Sequence, residues 1–135
     1  MTLFQLQIMT PEKVFFDGNV QRIIVRTTEG DIGVLAKHEK YVACLPAGPL
    51  RVITEDGTET IAALSGGILK ISPEQTVILA NAAEWAQDID VDHAKRSEED
   101  ARKRREQSKT QHELDRAEAK LQRALNRLRV SSMTK

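Results

Sequence analysis

Hydrophobic and polar residues alternate along the first 85 residues in the way that predicts short β-strands. In "LFQLQIM", Phe4, Leu6 and Ile8 fall on one face of an extended chain, and the intervening glutamines fall on the other. "VQRIIVRTT" and "TVILAN" are rich in β-branched residues, which suit a pleated, half-buried surface. Asp-Gly, Glu-Gly and Gly-Gly pairs mark turns at short intervals. The pattern predicts an antiparallel β-sandwich of about ten short strands over residues 1–85.

After Trp85 the pattern becomes that of α-helices. Residues 86–135 contain no Gly and no Pro, and strong helix formers (Ala, Glu, Lys, Arg, Gln and Leu) dominate them. Leu114, Leu121 and Leu128 recur every seven residues, which places an apolar stripe along one helix face. The change in composition predicts an α+β chain with two distinct parts.

The second part is predicted to be a two-helix antiparallel hairpin. "TQHE" at residues 110–113 matches a capping box, which begins a helix. We expect a linker at residues 86–90, then a regulatory hairpin over 91–135 with helices at about 91–107 and 111–130. A single unbroken helix is the alternative, because no Gly or Pro enforces a break.

The hairpin is expected to be held only weakly against the sandwich. Burying one large aliphatic side chain stabilises a fold by about 1.5–3 kcal/mol, and the apolar stripe offers only four leucines and a few alanines. Isolated helices of this length are marginal in water. A partner with a matching groove can therefore compete for the hairpin.

The charges divide between the two parts. Residues 1–85 carry 7 basic and 10 acidic side chains, and residues 86–135 carry 13 and 10. Acidic residues interrupt the basic run "RKRRE", which is typical of ion pairing on a solvated helix. The expected pairs are Glu98–Arg102, Glu99–Lys103 and Asp100–Arg104. No nucleic-acid partner is expected, although a free-standing ATP-sensing or nucleic-acid-binding module that uses the basic helices is the alternative function.

The sequence indicates no catalytic residues and no metal site. It contains no nucleophile elbow, and His38 would need partners as a metal ligand, whereas His93 and His112 lie in the helical part. Cys44, in the apolar run "YVACL", is expected to be a small core residue. Glutamines interrupt the apolar residues at the start, which argues against a signal peptide. No window approaches the roughly 20 apolar residues that span a bilayer, so direct membrane insertion is not expected.

The order of several segments resembles a known family. "TPEKVFFDG", "RTTEGDIGVLAKH", "LSGGILKI", "VILANAAEWAQDIDVDHA" and "RALNRLRV" together resemble the epsilon subunit of bacterial F-type ATP synthases. The resemblance implies a ten-stranded β-sandwich followed by two antiparallel helices. It also implies a non-catalytic subunit of the rotor.

The resemblance implies partners for both parts of the chain. The sandwich would bind the gamma subunit and rest on the ring of c subunits, peripherally, at the cytoplasmic face of the cell membrane. The implied docking residues are Glu29, Asp31, Lys37 and His38, with Asp31 toward the c ring and His38 toward gamma. The family often has Pro-Gly-His-Ala where this chain has Ala36-Lys37-His38-Glu39, which alters the detailed contacts.

The hairpin of the family inhibits ATP hydrolysis. It can lie beside the sandwich, or it can extend along gamma to the alpha and beta subunits of the catalytic head. The implied inhibitory basic face comprises Arg102, Arg104, Arg105 and Arg116. Arg123 and Arg127 are further candidates on the second helix.

Some family members bind ATP through Ile-Asp-x-x-Arg-Ala at the start of the first helix and two arginines on the second. The residues implied here as a weak ATP site are Glu84, Ile89, Asp90, Ala94, Arg123 and Arg127. His93 replaces the arginine of the pattern, and a neutral imidazole lacks the fixed charge and bidentate fork that phosphates favour. We therefore expect no cofactor, and ATP binding that is weak or absent.

Overall fold

The computed structural model describes residues 2–133, and the chain changes from strands to helices after Trp85. The strands are β1 (Phe4–Met9), β2 (Val14–Thr27), β3 (Gly30–Leu35), β4 (Tyr41–Thr54), β5 (Glu59–Ile71), β6 (Thr76–Ala80) and β7 (Ala83–Trp85). A 3-10 turn at Ala86–Asp88 leads into the helices α1 (Val91–Gln107) and α2 (Gln111–Ser132). This arrangement confirms the predicted α+β class, with a β-sandwich followed by a helical hairpin.

The strands form one sheet that closes on itself. The strand order is β1-β6-β5-β4-β2-β3, β7 pairs with β5, and β1 also pairs with β2. Because β1 has partners on both sides, the sheet folds into a flattened barrel with an enclosed core. The β1–β6 pair is parallel, so the expectation of a purely antiparallel sandwich is wrong for this pair.

The prediction of about ten strands is too high, because three of the strands are long and bend without ending. β2 and β4 each contain 14 residues, and β5 contains 13. The Gly66-Gly67 pair, which resembles a turn in the sequence, lies inside β5. Gly67 has a φ of 151°, and a Cβ there would overlap the carbonyl oxygen of Leu79 on β6. Glycine thus lets the strand bend while it stays paired.

The core of the sandwich follows the alternation seen in the sequence. Leu6 and Ile8 on β1 are fully buried, as the period of two predicts. They pack in one apolar cluster with residues of every strand from β2 to β6. Trp85, at the end of β7, covers one side of this cluster and stacks on Phe15 with ring centroids 4.5 Å apart.

Cys44 is exposed, so the expectation that it belongs to the core is wrong. Its neighbour Leu45 is the residue of this part of β4 that points into the core, at 5% exposure. Successive side chains of a strand point to opposite faces, so Cys44 lies on the outer face. An apolar run along the chain does not distinguish a strand covered on one face from a strand covered on both.

The helical region divides into two helices near the predicted positions. Ser108 ends α1, and Thr110 caps α2 by accepting a hydrogen bond from the backbone N–H of Glu113 at 3.1 Å. The capping box therefore marks the break without any Gly or Pro. Ala101 on α1 is fully buried, and Leu121 on α2 is almost fully buried. Small residues such as Ala101 let the two helices approach closely.

Ion pairs follow the outer face of α1 as the sequence predicts, with one exception. Arg102 donates to Glu98 at 2.8 Å, and Arg104 pairs with Asp100 at 2.9 Å. Glu99 and Lys103 are both described by the structure and form no ion pair there. Such exposed i,i+4 pairs contribute only a few tenths of a kcal/mol each.

A second, smaller core joins the hairpin to the sandwich. Its buried members are Ile61, Ala63, Ala86, Ile89 and Val130, with Met133 packed against them. This cluster is separate from the core inside the sandwich, and it contains two alanines, so it buries much less apolar area. The two cores are therefore unequal in the free energy that they contribute.

We predict that the start of α1 is sensitive to acid, and that Asp90 is the cause. Its carboxylate accepts the backbone N–H of His93 at 3.0 Å, and this hydrogen bond, with help from the charges of Arg96 and Arg127, lowers the pKa of Asp90. A lowered pKa stabilises the folded chain at pH values above the ordinary range of Asp, and this contribution is lost as the pH falls through the lowered value. The His93 amide signal in NMR should therefore change below about pH 4.

The variant Asp90→Asn keeps an N-cap at the start of α1 and removes its ionisable group. Asn is a good N-cap without an ionisable group, so this variant should keep the His93 hydrogen bond at acid pH. Asp92→Asn, two residues along in the same helix, is the control and should titrate like the unmodified chain. An Asp90→Asn profile identical to that of the unmodified chain would contradict the assignment.

Candidate functional site

A cavity of about 440 Å³ lies between the sandwich and the helical hairpin. Its cationic wall comes from α2, where Lys120, Arg123 and Arg127 follow one another at helical spacing on one face. Glu84 of β7 and His93 of α1 also line the cavity. The cavity therefore collects charged groups from three elements, and its shape depends on the hairpin lying against the sandwich.

Arg127 connects the three elements at this cavity. Its Nε donates to Oε1 of Glu84 at 2.6 Å, and its Nη2 donates to Oε2 at 3.1 Å. A third nitrogen, Nη1, lies 2.9 Å from Nδ1 of His93. Because a guanidinium can only donate, Nδ1 of His93 is the acceptor in this contact. The bidentate, partly buried pair of Arg127 with Glu84 is among the stronger polar contacts of the hairpin.

The structure brings together only some of the residues implied as an ATP site. Glu84, Arg123 and Arg127 line the cavity. Ile89 and Ala94 are buried in the packing of the hairpin, and Asp90 is used as the cap of α1. Of the implied ATP site, three charged residues therefore meet at the cavity: Glu84, Arg123 and Arg127. Arg127 is already paired with Glu84.

Lys120 and Asn126 line the cavity and were missed by the sequence analysis. Lys120 lies close enough to donate to Asp100 of α1. Asn126 is 5% exposed, and its Nδ2 donates to the carbonyl oxygens of Gly48 and Leu64 at 3.1 Å each. The available indication was a polar residue beside the apolar stripe of "RALNRLRV", which departs from the pattern of an amphipathic helix.

The residues implied for docking lie at both ends of β3. Glu29 and Asp31 lie at its beginning, where Asp31 pairs with Arg26 at 2.9 Å. Lys37 and His38 follow its end, in a loop where Lys37 has a φ of 67°. A strand of six residues spans about 20 Å, so the structure does not unite the two pairs in one patch.

An exposed row of apolar side chains crosses the outer face of the sheet. The row runs through directly paired positions of five strands, and we call it the outer apolar row: Cys44, Ile68, Leu79, Met9 and Val14. Leu79 and Val14 are each 51% exposed, and Ile68 is 46% exposed. Val42, beside the row on β4, is 65% exposed. A contiguous exposed apolar patch marks a surface for binding another protein.

The sequence contained an indication of the outer apolar row. Ile68 and Leu69 on β5 are both apolar, as are Ile78 and Leu79 on β6, so each strand is apolar on both faces. Strands of this kind are covered on both sides. In this chain the inner face packs into the sandwich, and the outer face at Ile68 and Leu79 has no cover from the described residues.

The implied inhibitory face is largely solvated. Arg102, Arg104 and Arg116 are exposed, and Arg105 is half-buried and pairs with Glu118 at 3.0 Å. Arg104 and Arg116 also line a groove at the tip of the hairpin. Three of the four arginines are thus available while the hairpin lies against the sandwich, whereas Arg105 bridges the two helices.

Residues 2–133 contain neither a cluster suited to a metal ion nor a helix suited to a bilayer. No group of three or more His, Cys, Asp or Glu side chains in this range is arranged to hold a metal. No helix in the same range is both long and apolar enough to cross a membrane.

Both parts of the chain match family models. The ATP synthase Delta/Epsilon chain β-sandwich domain matches residues 3–86, and the long α-helix domain of the same chain matches residues 87–132. Together these matches cover nearly the whole chain, in the order of the two structural parts.

Relatives match over the whole length. The ATP synthase epsilon chain of Ruminococcus albus is 40% identical, over 98% of this chain and 98% of its own. That of Caldicellulosiruptor bescii is 41% identical, over 100% of this chain and 98% of its own. A chain of the Euglena gracilis mitochondrial ATP synthase, solved with OSCP, F1 and the c-ring, superposes with a TM-score of 0.81 at 26% identity, over 93% of this chain and 79% of its own. The resemblance seen in the sequence is confirmed: the chain belongs to the ATP synthase Delta/Epsilon chain family, as a non-catalytic epsilon-type subunit of a rotary ATP synthase.

Proposed function

We propose that the chain is the rotor component that joins the gamma subunit to the ring of c subunits, peripherally, at the cytoplasmic face of the cell membrane. The outer apolar row is the observation that carries this proposal, because a folded sandwich with its own core leaves that face uncovered. The likeness to a chain solved in an assembly with F1 and the c-ring supports it.

The outer apolar row is the proposed contact with gamma. Aliphatic side chains on a flat sheet face offer rigid, mostly apolar area, which is suited to a long-lived interface within an assembly. The two ends of β3 then divide the remaining contacts. Glu29 and Asp31 face the c ring, and Lys37 and His38 lie toward gamma.

We predict that Leu79→Glu strongly weakens binding to the gamma subunit. Leu79 lies in the middle of the outer apolar row, so the variant places a charge where the interface must exclude water. Affinity for purified gamma, measured by calorimetry or surface capture, should fall by at least about thirtyfold, which corresponds to about 2 kcal/mol. Thr58→Glu, in the exposed turn between β4 and β5, is the control and should bind normally. Normal binding by folded Leu79→Glu would contradict the proposed surface.

We further propose that the hairpin inhibits ATP hydrolysis by leaving the sandwich and extending along gamma to the catalytic head. The separate, smaller core of the hairpin supports this, because its loss leaves the core of the sandwich complete. The exposed arginines Arg102, Arg104 and Arg116 are available to an acidic surface of the head. Arg105 and Arg127 must first give up their pairs with Glu118 and Glu84.

We predict that removal of residues 88–135 raises ATP hydrolysis by the assembled enzyme. The truncated chain should fold, because the core of the sandwich contains no residue from either helix. The truncated chain should also still assemble through the outer apolar row. ATPase activity of reconstituted enzyme, with the full chain as reference, measures the effect. Unchanged hydrolysis in a fully assembled enzyme would contradict the inhibitory role.

ATP is proposed to bind weakly at most. A phosphate group in the cavity would have to compete with Glu84 for Arg127, because Glu84 already accepts two hydrogen bonds from the guanidinium. His93 contributes no fixed charge and Lys120 already pairs with Asp100, so Arg123 is the cation on this wall that has no ion pair among the described residues.

Calorimetric titration of the full chain with ATP tests this directly. No binding in the micromolar range is expected, and His93→Arg should bind at least about tenfold more tightly, because it adds a guanidinium that phosphate favours. Micromolar affinity of the unmodified chain would contradict the proposal and favour an ATP-sensing module. A steep fall of DNA or RNA affinity with salt would instead favour the nucleic-acid alternative.

A further inference from the structure

Asn126 is a buried polar residue in an otherwise apolar contact. It lies on α2 and is 5% exposed, and it is the one helical residue among the polar residues buried within the described range. Its Nδ2 donates to the carbonyl oxygens of Gly48 and Leu64, each at 3.1 Å. Gly48 and Leu64 are register partners on β4 and β5. One side chain therefore ties α2 to two neighbouring strands.

The amide is oriented by its surroundings. Two carbonyl oxygens face Nδ2, so only a donor fits there, whereas Oδ1 is buried and has no partner among the described residues. The two carbonyl oxygens make the site selective for a hydrogen-bond donor and unfavourable for an anion, whose buried charge would have no donor there.

We propose that Asn126 is the positioning residue that selects the folded-back place of the hairpin, and this inference rests on the proposed mobility of the hairpin. The alanines and leucines of α2 can pack in any apolar groove of similar shape, because apolar contacts have little directionality. The two hydrogen bonds of Asn126 form only when α2 crosses β4 and β5 at one position. When the hairpin leaves, water satisfies the amide and both carbonyls, so the anchor fixes the position without preventing release.

The variant Asn126→Asp tests the anchor with almost no change of shape. A carboxylate would place negative charge against two carbonyl oxygens with no donor in reach, so the hairpin should detach at pH 7. In hydrogen exchange of the full isolated chain, the amides of α2 should exchange at least about 100-fold faster, whereas those of β4 and β5 should stay protected. A protonated carboxyl group can donate one hydrogen bond, so protection of α2 in this variant should return in part at acid pH, after correction for intrinsic exchange rates.

Two variants separate the anchor from general effects on the helix. Gln122→Glu makes the same change from amide to carboxylate at an exposed position of α2 and should exchange like the unmodified chain. Asn126→Leu removes the donor without adding charge, and exchange should rise about tenfold, in line with the loss of two ordinary hydrogen bonds.

The outcomes distinguish this inference from the proposed function. Exchange of α2 within twofold of the unmodified chain in Asn126→Asp would overturn the anchor. If α2 is released in the isolated variant and ATP hydrolysis by the assembled enzyme falls, both proposals are supported. If α2 is released and hydrolysis does not change, the anchor stands and the inhibitory role of the hairpin is contradicted.

Discussion

The contact between α2 and the strands β4, β5 and β7 is the interaction on which the proposed mobility of the hairpin depends. It combines a small apolar cluster with a few directional polar contacts, namely the hydrogen bonds of Asn126 and the Glu84–Arg127 pair. The apolar part supplies most of the free energy of docking, and the polar part fixes where α2 lies. Because the sandwich has its own core, this contact can open without unfolding the strands.

The two parts can therefore serve different tasks in one assembly. The sandwich presents an uncovered apolar face that suits a permanent interface, whereas the hairpin is held by contacts that a competitor can replace. Its arginines differ in availability, since Arg102 and Arg104 have only solvated helix pairs while Arg127 is committed to Glu84 and His93. Release of the hairpin would also free the charge of Arg127 from these contacts.

Much of the fold could be predicted from local pattern. Alternation located β1, and the Thr110 capping box located the break between the helices, because both effects act over a few residues. The strand count failed because Gly66-Gly67 bends β5 without ending it, which depends on the approach of β6. The prediction that Cys44 is buried failed for a similar reason, because tertiary packing decides which face of a strand is covered.

Less of the site could be predicted. Arg123, Arg127 and Glu84 do meet at one cavity, but Ile89 and Ala94 are used in packing instead. The outer apolar row depends on the register between strands, and the contacts of Asn126 depend on where α2 lies across the sheet. A local sequence pattern determines neither the register nor the position of the helix. The family resemblance indicated the partners but not these surfaces.

A distance between the sandwich and the hairpin would show whether the hairpin leaves the sandwich. Spin labels on cysteines introduced at Thr58 and Ser132, both exposed, in a Cys44→Ser background, would report it in the isolated chain and in the assembled enzyme. We expect one short distance in isolation, and an additional, longer distance in the assembled enzyme. A single, unchanged distance in both would show that the hairpin never leaves the sandwich.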